Sequence, residues 1–293
     1  MNTHVFCRDL ALTRGEPLAG SGGLPERVLL LAWPRRLWRP GRLGAGMSPP
    51  LAAAQAHAAH KTSHALFIDR VDRRGSLPQL LAFPENRFVD GLGEEALAQT
   101  IRRWADGGEI GGTPEPRITI ICCTDSRTDA CCARYGFATY KRLAREADPA
   151  VFNVMQCNHI GGCRFATSVA VLGRGERYGR LAPDEVPEFL AMIGAGRTYL
   201  PAFRGRSGLG EPQQVAEMAA RRWAVTGNFG DGDVVLEETE EAPMSKTFVA
   251  TIAGQQLSIT IEQRQFHRHA HCDAVGGAGD RVSRWLVKSV TKA

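Results

Sequence analysis

The sequence predicts an α/β fold followed by a small antiparallel β extension, for three reasons. Short apolar runs rich in β-branched residues, typical of buried strands, alternate with helical segments over the first 226 residues. The order strand, helix, strand, strand, helix occurs twice in that stretch. Beyond Gly227, apolar and polar residues alternate, as they do in strands with one buried face.

The first copy of this order lies within residues 1–115. A buried strand is predicted over residues 28–33, and Pro34 ends it. The alanine-rich segment 49–62 favours helix, and the runs HALFIDRV and LPQLLAFPE favour strands. The helix predicted over residues 93–106 carries acidic residues in its first turn and basic residues later, which suits the helix dipole.

The second copy follows the same order more clearly. We predict a strand at 117–123, a helix at 129–148 with Asp129 as its N-cap, strands at 151–156 and 167–172, and a helix at 183–193. A parallel connection plus a hairpin, flanked by helices, is a thioredoxin-like arrangement, so the first copy is interpreted as a degenerate version of it. A loop at 199–210 and a helix at 211–226 complete this region.

Three domains are therefore predicted, at residues 1–115, 116–226 and 227–293. A chain of 293 residues buries a sufficient core without disulfides. No apolar run is long enough for a secretory signal or a membrane span, so we expect a cytoplasmic protein with reduced thiols and no membrane partner. The net charge is +5, but the sequence shows no surface that combines basic and aromatic residues, as proteins that bind single-stranded nucleic acid do. This argues against nucleic-acid binding.

Soft metal ligands are concentrated between residues 118 and 166, which hold six of the eight cysteines and His159. Cys123 ends a predicted strand and Cys132 lies in the first turn of the next helix, whereas His159 and Cys163 share one glycine-containing loop. Both loops lie at the same end of the predicted sheet, so their four side chains can surround one metal centre. Zinc and an iron–sulfur cluster both suit these donors. The wide C-x8-C spacing is unlike a zinc knuckle and favours a [2Fe-2S] ferredoxin.

Several motifs, in order along most of the chain, resemble the sucrase/ferredoxin-like family of thioredoxin-like [2Fe-2S] proteins. CCTDSRTDACCARYG resembles the family's CTxxxRDxCCAxxG segment, and HIGGCRFATSVAVLGRGERYGRL resembles its HxGGHRFAxxxxxxPxGxxYGR segment. GEPLAGSGG and FRGRSGLGEPQQVAEMAARR resemble two further recurrent stretches. In this family, two cysteines of the first motif and the two histidines of HxGGH hold the cluster.

The resemblance implies that Cys123, Cys132, His159 and Cys163 bind one [2Fe-2S] cluster. Cys163 stands at the position of the family's second histidine, so the implied ligand set is three cysteines and one histidine. A thiolate in place of a neutral imidazole adds a negative charge, which is expected to lower the reduction potential. If a ring nitrogen of His159 faces solvent, its protonation accompanies reduction and the potential falls as the pH rises.

Three further cysteines are alternative ligands: Cys131, Cys122 and Cys157. Cys122 points to the opposite face of its strand from Cys123, and it is predicted to be a core residue, as is Cys157. Cys7 and Cys272 lie far from this region in the sequence and are predicted to be structural or free thiols.

Five residues are expected to support the centre: Thr124, Arg127, Gly161, Gly162 and Arg164. The two glycines permit positive φ angles, which bring backbone N–H groups close to sulfur. The two arginines are candidate donors to an anionic cluster, with a surface role as the alternative, and Thr124 is a candidate cap for its loop.

Two histidine groups are weaker candidates. His267, His269 and His271 lie on one side of an extended segment, for which an exposed polar strand is favoured over a metal site. His57, His60 and His64 have helical spacing and are interpreted as surface residues.

These observations predict an electron-transfer or redox-sensing iron–sulfur protein with an unknown redox partner protein, and a carrier rather than a catalyst. A thiol–disulfide oxidoreductase is one alternative, although the sequence has no C-x-x-C at the strand-to-helix junction. A structural zinc protein is the other.

Overall fold

Both copies of the predicted order are present, and their strands form one sheet. The computed structural model describes residues 4–62, 64–71 and 77–293. Its α-helices are α1 (Cys7–Thr13), α2 (Pro49–Thr62), α3 (Glu94–Ala105), α4 (Phe137–Glu146), α5 (Val186–Gly194) and α6 (Glu211–Thr226). Its strands are β1 (Val28–Ala32), β2 (Trp38–Arg39), β3 (Leu43–Gly44), β4 (Ala65–Asp69), β5 (Leu80–Phe83), β6 (Arg87–Val89), β7 (Thr113–Pro114), β8 (Ile118–Cys123), β9 (Phe152–Cys157), β10 (Val169–Val171), β11 (Glu176–Tyr178), β12 (Phe203–Arg206), β13 (Val235–Ala242), β14 (Ser245–Ile252), β15 (Gln255–Arg268) and β16 (Asp280–Lys292).

The strand order of the large sheet is symmetric about its middle. Within the described residues the order is β12, β11, β10, β8, β9, β4, β1, β5, β6, β7. In each copy, the first strand pairs in parallel with the second and antiparallel with the third, as β1 does with β4 and β5. β8 does the same with β9 and β10. The α/β, thioredoxin-like order is therefore confirmed in both copies.

The two copies meet where β4 pairs antiparallel with β9, and Ile68 lies opposite Cys157 there. This pairing makes the two residues equivalent by symmetry. Ala32 pairs with Ile68 and Cys123 pairs with Cys157, so Ala32 is the counterpart of Cys123. The division of the chain into three domains stays a prediction.

Alternate residues of the strands pack against different layers. Helices α2 and α3 cover one face of the first copy, around Phe67 and Trp104, and α4 and α5 cover the same face of the second copy, around Tyr140 and Phe189. The opposite face packs against connecting segments and contains Cys123 among its buried residues. The candidate ligands Cys123, Cys132 and Cys163 therefore lie on the face away from these four helices.

The C-terminal region is an antiparallel sheet, as predicted, with the order β13, β14, β15, β16. Val215 and Ala219 of α6 pack against Ile259 and Trp285 of this sheet. Among the described residues, no helix is long and apolar enough to cross a membrane.

One local prediction differs from the structure. The segment 199–210, predicted as a loop, contains the edge strand β12, because pairing with β11 supplies hydrogen bonds that its glycine-rich sequence does not suggest. Helix α1, which was not predicted from the sequence, has only seven residues, and its stability depends on the packing of Cys7 and Ala11 against the rest of the protein.

Candidate metal centre

The first pair of candidate ligands flanks the turn between β8 and α4. Cys123 is the last residue of β8, and Cys132 opens a π-helical turn, Cys132–Gly136, that leads into α4. Asp129 accepts a hydrogen bond from the Cys131 N–H at 2.8 Å, which confirms its predicted N-cap role. A Cβ at Gly136 would lie 2.1 Å from the Cys123 carbonyl oxygen, so only glycine lets the helix start this close to the strand end.

The second pair lies on the loop after β9. Gly161 and Gly162 adopt φ angles of 87° and 77°, the left-handed conformation expected of them, and turn the chain back toward the sheet. A 3-10 turn, Cys163–Phe165, follows and directs Cys163 inward. Asn158 fixes the start of the loop, because its Oδ1 accepts a hydrogen bond from the Phe67 N–H of the neighbouring copy.

The two loops bring their sulfur and nitrogen atoms into contact. The Sγ atoms of Cys132 and Cys163 are 3.9 Å apart, and Cys163 Sγ lies 3.5 Å from His159 Nδ1. Cys123 is a hydrogen-bond partner of Cys132. The three cysteines are buried, whereas His159 is half-buried.

The thiols perturb one another's ionisation. The hydrogen bond from Cys132 lowers the pKa of Cys163 to about 4 against the opposing effect of burial, and His159 and His271 lower it further. A hydrogen bond from Cys132 also lowers the pKa of Cys123. The two hydrogen bonds raise the pKa of Cys132 itself well above the usual value. Cys132 thus lies between two groups that favour the thiolate, which is the form that binds metals.

One ligand candidate comes from outside the two loops. His271, on the segment between β15 and β16, is a hydrogen-bond partner of Cys163, and the two donor atoms lie within 4.8 Å of each other and of Asp129. Its ring centroid is 6.3 Å from that of His159. The interpretation of residues 267–271 as an exposed polar strand holds only in part. His267 and His271 are exposed, but β15 ends at Arg268 and His269 is only 7% exposed.

Two arginines donate hydrogen bonds to the HIGGC loop (residues 159–163), and they are different arginines from those the sequence suggested. Arg42 Nε donates to the His159 carbonyl oxygen at 3.0 Å, and Arg177 Nη2 donates to the Gly161 carbonyl oxygen at 3.1 Å. Burial lowers the pKa of Arg177 to about 10, and the nearby Cys157 and Cys123 thiols oppose that effect. Both guanidinium groups interact electrostatically with Cys157 and Cys123.

The suggested supporting side chains have other partners. Arg127 donates to the carbonyl oxygens of Arg35 and Arg36, and Arg164 Nε donates to Glu16 at 2.9 Å. Thr124 Oγ1 donates to Gln156 Oε1 at 2.9 Å, so it ties β9 to the turn.

The three alternative cysteines lie in three different environments. Cys122 packs on the helical face, where its Sγ is 3.5 Å from the Gly136 carbonyl oxygen, and Cys157 lies under Cys123 in the core. Cys131 points away from Cys132 and lies against Cys7 and Cys272, which are therefore partners rather than isolated thiols.

The interpretation of His64 as a surface helical residue is also wrong. Helix α2 ends at Thr62, and His64 lies half-buried with its Nε2 3.4 Å from the Ile160 carbonyl oxygen. Burial, reinforced by Arg177 and Arg42, lowers the pKa of His64 to about 3. His57 does lie on the surface, where its Nε2 is 2.7 Å from Asp106 Oδ1.

The residues present fit an iron–sulfur cluster in donor chemistry. Three thiol groups and one or two imidazoles converge at a buried point, two thiols favour the thiolate form, and cationic side chains lie behind the ligand loop.

Comparison with known proteins identifies the family of this chain. The sucrase/ferredoxin-like family model matches residues 20–205, which is more than half of the chain. No curated protein matches significantly. Among solved structures, the chain is similar to a thioredoxin-like [2Fe-2S] ferredoxin from Aquifex aeolicus, with 15% identity over 33% of this chain and 97% of that one, at a TM-score of 0.30. The fold assignment rests on the strand order rather than on that match. By its match to the family model, the chain belongs to the sucrase/ferredoxin-like family.

Proposed function

We propose that this protein is an iron–sulfur electron-transfer or redox-sensing protein that holds one [2Fe-2S] cluster through Cys123, Cys132, His159 and Cys163. The observation that carries the proposal is the contact of Cys132 and Cys163, which come from two separate loops, at a buried point beside His159. When bound, the cluster supplies one-electron redox chemistry.

The protein residues tune this chemistry through charge and access. Cys163 adds a negative charge where an imidazole would add none, and this favours the oxidised form. Arg42 and Arg177 oppose that effect, because their positive charges lie close to the sulfurs. The His271 side chain is 51% exposed, so the histidine side of the centre is the side from which electrons reach a partner.

We expect a redox partner protein in the cytoplasm to exchange electrons with the histidine side, and we expect neither nucleic acid nor a membrane to bind. The protein then acts as a carrier rather than as a catalyst.

Anaerobic purification tests the cluster directly. The expected protein is red-brown, contains two irons per chain, and gives an EPR signal after reduction. Colourless protein without iron, also after reconstitution with iron and sulfide, would refute the proposal.

Cys163→His tests the ligand assignment. The cluster should be retained and its reduction potential should rise, because a neutral imidazole replaces a thiolate. Cys122→Ser, which removes a buried cysteine on the other face, should leave the potential unchanged. An unaltered spectrum and potential in Cys163→His would show that Cys163 is not a ligand.

A structural zinc ion is the second candidate. The separation of 3.9 Å between the Cys132 and Cys163 sulfurs is close to the spacing of two thiolates on one ion; Zn–S bonds of about 2.3 Å in a tetrahedron place the sulfurs about 3.8 Å apart. One zinc per chain that is lost in Cys163→Ser, without iron or colour, would favour this function.

A further inference from the structure

A second group of cysteines lies beside the candidate metal centre and uses none of its four ligands. It joins Cys7 at the start of α1, Cys131 in the turn before α4, and Cys272 on the segment between β15 and β16. The three residues are 1%, 0% and 6% exposed. Segments far apart in the sequence thus deliver three thiols to one buried point.

The sulfurs are spaced as ligands of a single ion. Cys7 and Cys131 Sγ are 3.5 Å apart, Cys131 and Cys272 Sγ 3.3 Å, and Cys7 and Cys272 Sγ 3.7 Å. Disulfide sulfurs are about 2.05 Å apart, so the three are not bonded to one another. Thiolates on a tetrahedral zinc ion are about 3.8 Å apart. All three separations are similar, as expected around one ion, whereas a cluster would distribute them over different irons.

A carboxylate completes the group. Asp129 Oδ2 is 4.0 Å from Cys7 Sγ, and all four donor atoms lie within 4.8 Å of one another. The Asp129 oxygens also accept hydrogen bonds from the Cys131 N–H at 2.8 Å and the Cys272 N–H at 2.9 Å, which fix the carboxylate in place.

The charge of this group calls for a cation. The Asp129 side chain is fully buried, and its ion-pair partner in the described part of the chain is His271, at 3.9 Å. Buried anionic groups are paired or bind metals. The Arg8 backbone N–H donates to the Cys131 sulfur, an arrangement that stabilises a thiolate ligand.

We propose that Cys7, Cys131, Cys272 and Asp129 bind one Zn²⁺ ion. Three sulfurs and one oxygen give the tetrahedral coordination of a structural zinc site, in which no position is left for water or substrate. Cys7 and Cys272 lie outside residues 20–205, so this site joins the two ends of the chain to the region that the family model covers.

The site also positions ligands of the neighbouring centre. Cys131 precedes Cys132, and Cys272 follows His271, so in each pair of adjacent residues one contributes a donor to the zinc and the other contacts Cys163. Zinc binding therefore holds Cys132 and His271 against the first centre. The proposal does not require that centre to hold a cluster.

Metal analysis of the full-length protein, after gel filtration in buffer with EDTA, tests the site. We expect one zinc per chain in addition to the irons. The Cys7→Ser/Cys272→Ser double variant should lose that zinc, whereas its irons report separately on the first centre. Cys122→Ser, the control, should keep both. Wild-type protein without zinc, a double variant with unchanged zinc, or a disulfide among the three cysteines would overturn the proposal.

A second measurement needs no variant. Zinc-edge X-ray absorption of the wild-type protein should show a shell dominated by sulfur at about 2.3 Å. A shell of nitrogen and oxygen alone would mean adventitious surface zinc and would overturn the proposal. Cys163→Ser separates the two sites, because it should lose iron and keep zinc if both proposals hold. Two zincs in the wild type and one in the double variant would refute the cluster but support this site.

Discussion

The two copies of the repeat share one topology but differ at their strand ends. Cys123 ends β8 and His159 follows β9, whereas the equivalent positions of the first copy hold Ala32 and Arg70. Side chains of the first copy contact the second copy instead. Arg35 donates to the Thr124 carbonyl oxygen at 3.0 Å, and Arg42 and His64 contact the HIGGC loop. One copy therefore carries the candidate ligands, and the other copy contacts the loops that hold them.

The largest effect is expected from a matched pair at the strand ends. Cys123→Ser should abolish cluster absorption, because it removes a ligand from a buried site. Ala32→Ser, at the equivalent position of the first copy, should keep full absorption. The measurement is iron content and visible absorbance per chain after anaerobic purification. Equal iron content in both variants would contradict the expectation that only the second copy holds the cluster.

A smaller effect is expected from the arginine that reaches across the copies. Arg42→Met removes a positive charge close to the sulfurs and should lower the reduction potential. A tenfold change in the redox equilibrium corresponds to about 59 mV for a one-electron couple, and we expect a shift of up to that order. Arg39→Met, which removes an exposed arginine, is the control for overall charge. An equal change of the reduction potential in both variants would show that Arg42 does not tune the potential and has only a structural role.

The smallest effect at neutral pH is expected from His64. Its pKa is lowered to about 3, mainly by burial, so the unfolded chain binds the extra proton as the pH falls below 6.5. The fold therefore loses stability between about pH 6.5 and pH 3, by up to about 1.4 kcal/mol per pH unit, and nothing is lost above that range. His64→Gln should narrow the difference in thermal unfolding midpoint between pH 7.5 and pH 5.0.

The control for this prediction is His57→Gln, because His57 lies near the surface in the same copy. Its variant should follow the wild type at both pH values. If His64→Gln and the wild type lost the same stability on acidification, His64 would not be held neutral by the fold.

The local sequence determined most of the helices and strands, and it also determined the two pairs of candidate ligands in the first centre. The apolar run of β8, the alanine-rich α2 and the Asp129 N-cap depend on short-range propensities and hydrogen bonds, so they follow from a few adjacent residues. The spacing of Cys123, Cys132, His159 and Cys163 also follows from the sequence, as does the Cys163 replacement. Their assignment as ligands stays a prediction.

Only the tertiary structure decided which cysteine faces which group. Adjacent helical residues point about 100° apart, so Cys131 and Cys132 had to diverge, but the direction of each depends on how the turn packs against β8 and α1. Cys7, His271 and Cys272 lie more than 100 residues from Cys131 in the sequence, and no local pattern marks such contacts. The second thiol group exists because the fold brings Cys7 and Cys272, from distant parts of the chain, against Cys131.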